Sequence, residues 1–186
     1  MAIKKIALID IDGCLSDYPN DVFLDLAKKI LGEKVNSKED ILEKFGVSSY
    51  KDIKNRLRTE GYKLRYSFDH LALSTLDYLR DSGFEIWIYT SRPNIGNNHL
   101  DTKNWLEKNK VVFDVLYFTG TKGESYLYSS NDTFVLIIDD DDTAFLPYLN
   151  KSTAVAIKFG GQSRYSTVNN AKDWLEVRSI VENLND

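Results

Sequence analysis

Cysteine occurs once in 186 residues, at Cys14, which excludes an intramolecular disulfide and a multi-cysteine zinc site and fits a reducing cytoplasm. No apolar stretch approaches the ~18 residues of a membrane span. The opening Met1-Ala2-Ile3-Lys4-Lys5 has lysines but no apolar run behind them of the kind a signal peptide needs. A soluble, cytoplasmic protein without a membrane partner is expected. An excess of positive charge is also missing: 24 Lys+Arg against 28 Asp+Glu give a net charge of -4 and a pI near 5.3, against a general basic field that coats nucleic acid. The pattern G-x-x-x-x-G-K-[ST] occurs nowhere, so a P-loop kinase domain is absent from this sequence. Internal repeats, low-complexity segments and long linkers are absent too.

What is present alternates between strands and helices. Ile3 to Ile9 reads as a buried strand that ends in Asp10-Ile11-Asp12-Gly13-Cys14-Leu15. Three short helices are then expected: from Asp21, with Val22, Phe23, Leu26, Ile30 and Leu31 on one face, to Gly32; from Ser37 to Phe45, with Ser37 and Asp40 as a capping box, stopped by Gly46; and from Ser49 to Glu60, stopped by Gly61. They are polar and carry few apolar residues, which suggests a small cap over residues 17–68 inserted into a core made of 1–16 and 69–186. A helix carrying Leu71, Leu73, Leu76 and Leu79 leads to Gly83 and a strand Phe84 to Tyr89. A helix near Asp101 to Asn109 follows, then a strand Val115 to Phe118, a short helix near Glu124 to Ser129, strands Thr133 to Ile138 and Ala154 to Ile157, and a closing helix Asp173 to Leu184. The expected fold class is α/β: a Rossmann-like parallel sheet with right-handed crossovers and an inserted helical cap.

Polar groups fall at the carboxyl ends of four of these strands: Asp10 and Asp12 with Gly13, then Thr90 and Ser91, then Lys122, then Asp139 and Asp140. The carboxyl ends of neighbouring parallel strands share one edge of a sheet, where ligands bind in open α/β folds. Each group alone has an ordinary explanation as a cap, a loop lysine or an acidic surface. Four in sequence are harder to dismiss.

In this order the residues resemble the four signature motifs of the haloacid dehalogenase (HAD) superfamily of phosphotransferases, and the resemblance covers nearly the whole chain. Within it, Tyr89-Thr90-Ser91, Asp101 to Leu106, Phe118 to Lys122 and Leu136 to Asp140 resemble the 5'(3')-deoxyribonucleotidases. The turn Thr90-Ser91-Arg92-Pro93 and the pair Asp139-Asp140 also resemble the 3'-phosphatase domain of polynucleotide kinases. The resemblance implies a phosphomonoesterase acting through an aspartyl phosphate, either on a small phosphorylated substrate of the nucleotide class or on a nucleic acid end. Asp10 would be the nucleophile and Asp12 the general acid and base. Thr90, with Ser91 beside it, would donate to the phosphoryl oxygens and Lys122 would neutralise them. Gly13 would let the backbone turn, and Arg92 could grip phosphate bidentately. Magnesium suits a site of hard oxygens, with Asp10, the Asp12 carbonyl and one of Asp139 and Asp140 as ligands, Asp140 being preferred for direct contact and Asp139 for support. An acid at Asp12 favours ester hydrolysis over dehalogenation, which has no alkoxide to protonate.

Other residues carry less. Cys14 reads as a small buried hydrophobe, His70 as a surface or capping residue, and His99 as a lone histidine in a loop. Tyr62, Tyr66 and Phe68 read either as hinge packing or as a stacking platform for a base. Lys51 to Arg65 holds six basic residues against two acidic ones, a solvated helix face or a rim for an anion. Gly160 to Tyr165 follows the fifth strand and borders the expected site. A phosphoacceptor signalling domain uses the same groups in a different chain order, and a silent binding module would lack a required group. The sequence does not give oligomeric state.

Overall fold

A computed structural model describes residues 3–16, 20–32, 34–119 and 133–184. Six strands form one sheet in the order β3-β2-β1-β4-β5-β6, every neighbouring pair parallel: β1 Lys4–Ile9, β2 Phe84–Thr90, β3 Val115–Phe118, β4 Thr133–Asp139, β5 Ala154–Phe159 and β6 Asn169–Ala171. Five of these match the sequence expectation. The sixth is three residues long and mostly polar, too short for periodicity to register.

Both faces of a parallel sheet are normally covered, so its strands read as continuous apolar runs, as β1 and β4 do. Side chains alternate between the faces. Ala7, Ile9, Ile86, Ile88, Leu136 and Ile138 point into one cluster, which α3 (Leu71–Asp81) and α5 (Trp174–Leu184) help to fill. Ile6, Leu8, Tyr89, Val135 and Ile137 point into the other, covered by Phe145 and Tyr148. Thr75 in α3 donates to the Trp174 carbonyl at 3.0 Å and fixes α3 against α5.

Between β1 and α3 lie α1 (Asn20–Leu31), α2 (Lys38–Thr59) and a 3₁₀ turn, Tyr62–Arg65. The two helices expected at Ser37 and Ser49 form one run broken at Gly46, whose φ of 78° and ψ of 172° are not helical, so the glycine interrupts without ending the element. Ser37 caps it, its Oγ accepting from Asp40 N at 3.1 Å, while Asp40 Oδ2 accepts from Asn36 N at 2.9 Å. Of the apolar residues of this insertion, Leu26, Val35, Ile41 and Ile53 are buried in the same cluster as the first sheet face, while Phe45 and Val47 stay exposed.

Candidate active site

The strand registers build the site. Ile9 of β1 is level with Ile88 of β2 and Ile138 of β4, so the next residues, Asp10, Tyr89 and Asp139, stand level in adjacent positions. Asp10 N donates to the Ile138 carbonyl at 3.1 Å and continues the ladder one residue past β1. Outward from this trio, Tyr117 is paired with Tyr89, and Lys158 with Asp139. One row across the sheet thus reads Tyr117, Tyr89, Asp10, Asp139, Lys158, a polar row at the end of an apolar sheet.

Carboxylate oxygens of Asp10, Asp139 and Asp140 lie within 4.8 Å of one another. Asp10 and Asp139 are buried, at 1% and 0% exposure. Buried carboxylates this close repel one another strongly unless protons or a cation intervene. Three hard oxygen donors converging from two neighbouring strand ends fit magnesium. The two aspartates of the β4 end are held differently. Asp139 accepts on one oxygen from the Tyr89 hydroxyl and on the other from Asp141 N at 2.6 Å. Asp140 lies against Gly13, and the Lys158 ammonium donates to its carbonyl. Burial pushes the Tyr89 phenol well above its ordinary value, and the neighbouring carboxylates of Asp139 and Asp10 push the same way, so Tyr89 stays a donor.

The loop after β1 is tied down by its backbone. The amides of Cys14, Leu15 and Ser16 all donate to the Ile11 carbonyl, and Gly13 N donates to the Ser16 carbonyl at 2.8 Å. Trp174 Nε1 donates to the Cys14 carbonyl at 3.0 Å from α5. Gly13 has a φ of +96°, as its expected turning role requires, and it has a second duty: a Cβ there would sit 2.4 Å from Asp140 Oδ2. Gly13 therefore lets the acidic loop and the β4 end approach each other.

Thr90, buried at the end of β2, accepts from Arg92 N at 3.2 Å on its hydroxyl oxygen. Ser91 beside it is half-buried. Arg92 is placed differently from the expected phosphate grip. Its guanidinium clamps Asp12, with Nε to Oδ2 at 2.9 Å and Nη2 to Oδ1 at 2.5 Å. Burial opposes its charge, but Asp12, and after it Tyr66 and Asp10, outweigh it and raise its pKa above the usual guanidinium value. Lys122 lies outside the described residues, as does the helix expected at 124–129.

The aspartate run 139–142 divides its labour. Asp141 caps the 3₁₀ turn Asp142–Phe145, accepting from Thr143 N at 2.9 Å. Asp142 accepts from Ser163 Oγ at 2.6 Å and so joins the β4 end to the loop after β5. Tyr66 is buried against Arg92, and Phe68 packs edge-on to Trp105 and His70. His99 is exposed, with its ring 5.0 Å from that of Phe118. Cys14 is buried, as expected of a small hydrophobe.

Tyr89 and Lys158 are the site residues that sequence reasoning missed. Both sit inside strands, where an aromatic reads as core and a lysine as surface, and only the register brings them level with Asp10 and Asp139.

No family model matches the chain. It is 29% identical over 184 residues to a Bacillus cereus protein named "Putative nucleotidase", covering 93% of this chain and 96% of that one. Among solved structures it resembles a HAD family hydrolase from Deinococcus radiodurans R1 holding bound phosphate and sodium, at a TM-score of 0.67 and 12% identity, over 100% of this chain and 98% of the other. A HAD-superfamily hydrolase from Ehrlichia chaffeensis matches at a TM-score of 0.63 and 13% identity over 100% of both chains. The fold is that of the HAD-superfamily hydrolases.

Proposed function

We propose that the protein is a magnesium-dependent phosphomonoester hydrolase that works through an aspartyl phosphate on Asp10, with nucleotides as its substrate class. The observation that carries this reading is the convergence of Asp10, Asp139 and Asp140, with ligand oxygens within 4.8 Å of one another, at the edge of the sheet where Asp12 and Thr90 also end. The full-length similarity to the Bacillus cereus protein supports the nucleotide class. The resemblance to HAD hydrolases in fold supports the reaction type.

In this reading an Asp10 carboxylate oxygen attacks phosphorus and the ester oxygen departs with a proton from Asp12. Water then attacks the phosphorus of the aspartyl phosphate, Asp12 takes its proton, and inorganic phosphate leaves. The Thr90 hydroxyl and the Lys122 ammonium bind the phosphoryl oxygens, with Ser91 and the Gly13 backbone beside them. Asp10, the Asp12 carbonyl and Asp140 would hold the metal, and Asp139, bonded on both oxygens, would support it. Magnesium supplies, when bound, the positive charge that offsets these carboxylates and the phosphoryl oxygens. The insertion that contains α1 and α2 is the cap that selects the substrate, and 1–16 with 69–186 form the core that performs the chemistry.

Phosphate release from nucleoside monophosphates, other phosphomonoesters and 3'-phosphorylated oligonucleotides, with magnesium and with a chelator, tests the reading. Metal-dependent release from mononucleotides is expected, and Asp10→Asn should abolish it while the thermal melt is retained. Preference for 3'-phosphorylated oligonucleotides would replace the substrate class, and release by Asp10→Asn near the unsubstituted rate would remove the nucleophile assignment.

A further inference from the structure

Arg92 is a cation 3% exposed, one strand away from the proposed nucleophile, and each of its three guanidinium nitrogens donates a hydrogen bond. The Nε and Nη2 edge faces both oxygens of Asp12 side-on, at 2.9 and 2.5 Å. Nη1 donates to Thr102 Oγ1 at 3.1 Å, a residue of α4 (Asn98–Lys108). The face of the guanidinium lies over the Tyr66 ring, 5.4 Å from its centre. This seat is itself fixed, because Trp105, one turn beyond Thr102 on α4, donates from Nε1 to the Tyr66 carbonyl at 3.0 Å. An arginine fork matches a single carboxylate in this side-on geometry, and using it on phosphate would mean releasing Asp12. The Asp12 side chain is 28% exposed.

We infer that Arg92 is a positioning residue for Asp12 rather than a phosphate ligand: anchored by Thr102 and Tyr66, its fork holds the Asp12 carboxylate where a leaving oxygen meets it. This inference rests on the phosphomonoesterase reading, in which Asp12 is the acid. It has a signature that a phosphate clamp lacks. A group that acts through the general acid matters most when the leaving oxygen is basic and least when it departs unaided. A group that binds phosphoryl oxygens matters equally for both.

The test compares kcat/KM for a nucleoside monophosphate, an alkyl ester, with kcat/KM for p-nitrophenyl phosphate, whose leaving group needs no proton. It also measures inhibition by inorganic phosphate. Removing the strut should cost a good part of what general acid catalysis contributes, so Arg92→Ala is expected to lose about 10²-fold on the alkyl ester, against less than about tenfold on the aryl ester. Inhibition by phosphate should change less than about twofold, since phosphate binding does not use Asp12. Asp12→Asn should show the same leaving-group pattern, and the Arg92→Ala/Asp12→Asn pair should be non-additive. Thr102→Val, which keeps the fork and removes one anchor, should give a smaller loss of the same pattern, and it carries the test if Arg92→Ala does not fold. Equal losses on both esters together with phosphate inhibition weakened tenfold or more would overturn the assignment in favour of a clamp. Absence of turnover by the unsubstituted protein on both esters would instead remove the phosphomonoesterase reading, and the inference with it.

Discussion

At the scale of single residues, Gly13 shows how a backbone requirement and a site requirement fall on one position. Its φ of +96° disfavours any side chain, and the Asp140 carboxylate occupies the volume a Cβ would take. Gly32 has a similar φ of +100° with nothing within 4 Å of its Cβ position, so it isolates the backbone part of the cost. Gly13→Ala is expected to lose about 1–3 kcal/mol of stability and most of the turnover, because Asp140 must move, whereas Gly32→Ala should lose about 1 kcal/mol and keep its turnover. Urea denaturation with phosphate release on both variants checks this, and equal losses of activity would contradict it. The residues that were legible beforehand were those whose chemistry is odd for their surroundings. Asp10 and Asp12 end an apolar strand, and Asp139 and Asp140 end another. Tyr89 and Lys158 were not legible, because Tyr in Phe-Glu-Ile-Trp-Ile-Tyr-Thr is indistinguishable from core until register places its hydroxyl on Asp139. The partner of Arg92 was not legible, since nothing local to Thr90-Ser91-Arg92-Pro93 indicates that the fork turns to Asp12.

At the scale of elements, α2 shows a local signal surviving into the fold. The capping box of Ser37 and Asp40 was readable from spacing, and the break at Gly46 from the glycine itself. What spacing could not give is that the helical run resumes beyond that glycine as one element. Asp40 is held below the usual carboxylate range by the Lys44 ammonium, and then by the amides of Asn36 and Ser37. The unfolded chain therefore binds a proton at Asp40 more tightly than the folded one does. The stabilisation is present above the ordinary aspartate value near 3.8 and is lost as pH falls through the lower folded value. Asp40→Asn should accordingly unfold at lower urea than the unsubstituted protein at pH 7, and the difference should shrink toward zero as the pH is taken below 4. A difference that is constant from pH 7 to pH 3 would show that the carboxylate charge at the helix start contributes nothing.

At the scale of the whole molecule, the sheet order explains why residues distant in sequence form one site. β1 lies between β2 and β4, so the nucleophile candidate has the Thr90 strand on one side and the Asp139-Asp140 strand on the other. A parallel sheet brings all their carboxyl ends to one edge, and the polar row from Tyr117 to Lys158 follows from register alone. Among the described residues no helix is long and apolar enough to cross a membrane. The central claim is covalent: Asp10 carries the phosphoryl group between two half-reactions. Borohydride reduces an acyl phosphate but not a free carboxylate, so quenching the protein during turnover of a nucleoside monophosphate and mapping its peptides by mass spectrometry reads the intermediate directly. Conversion of residue 10 to homoserine, dependent on both substrate and magnesium, is the predicted result. Active turnover with residue 10 unchanged, or with the label at another carboxylate, would contradict it.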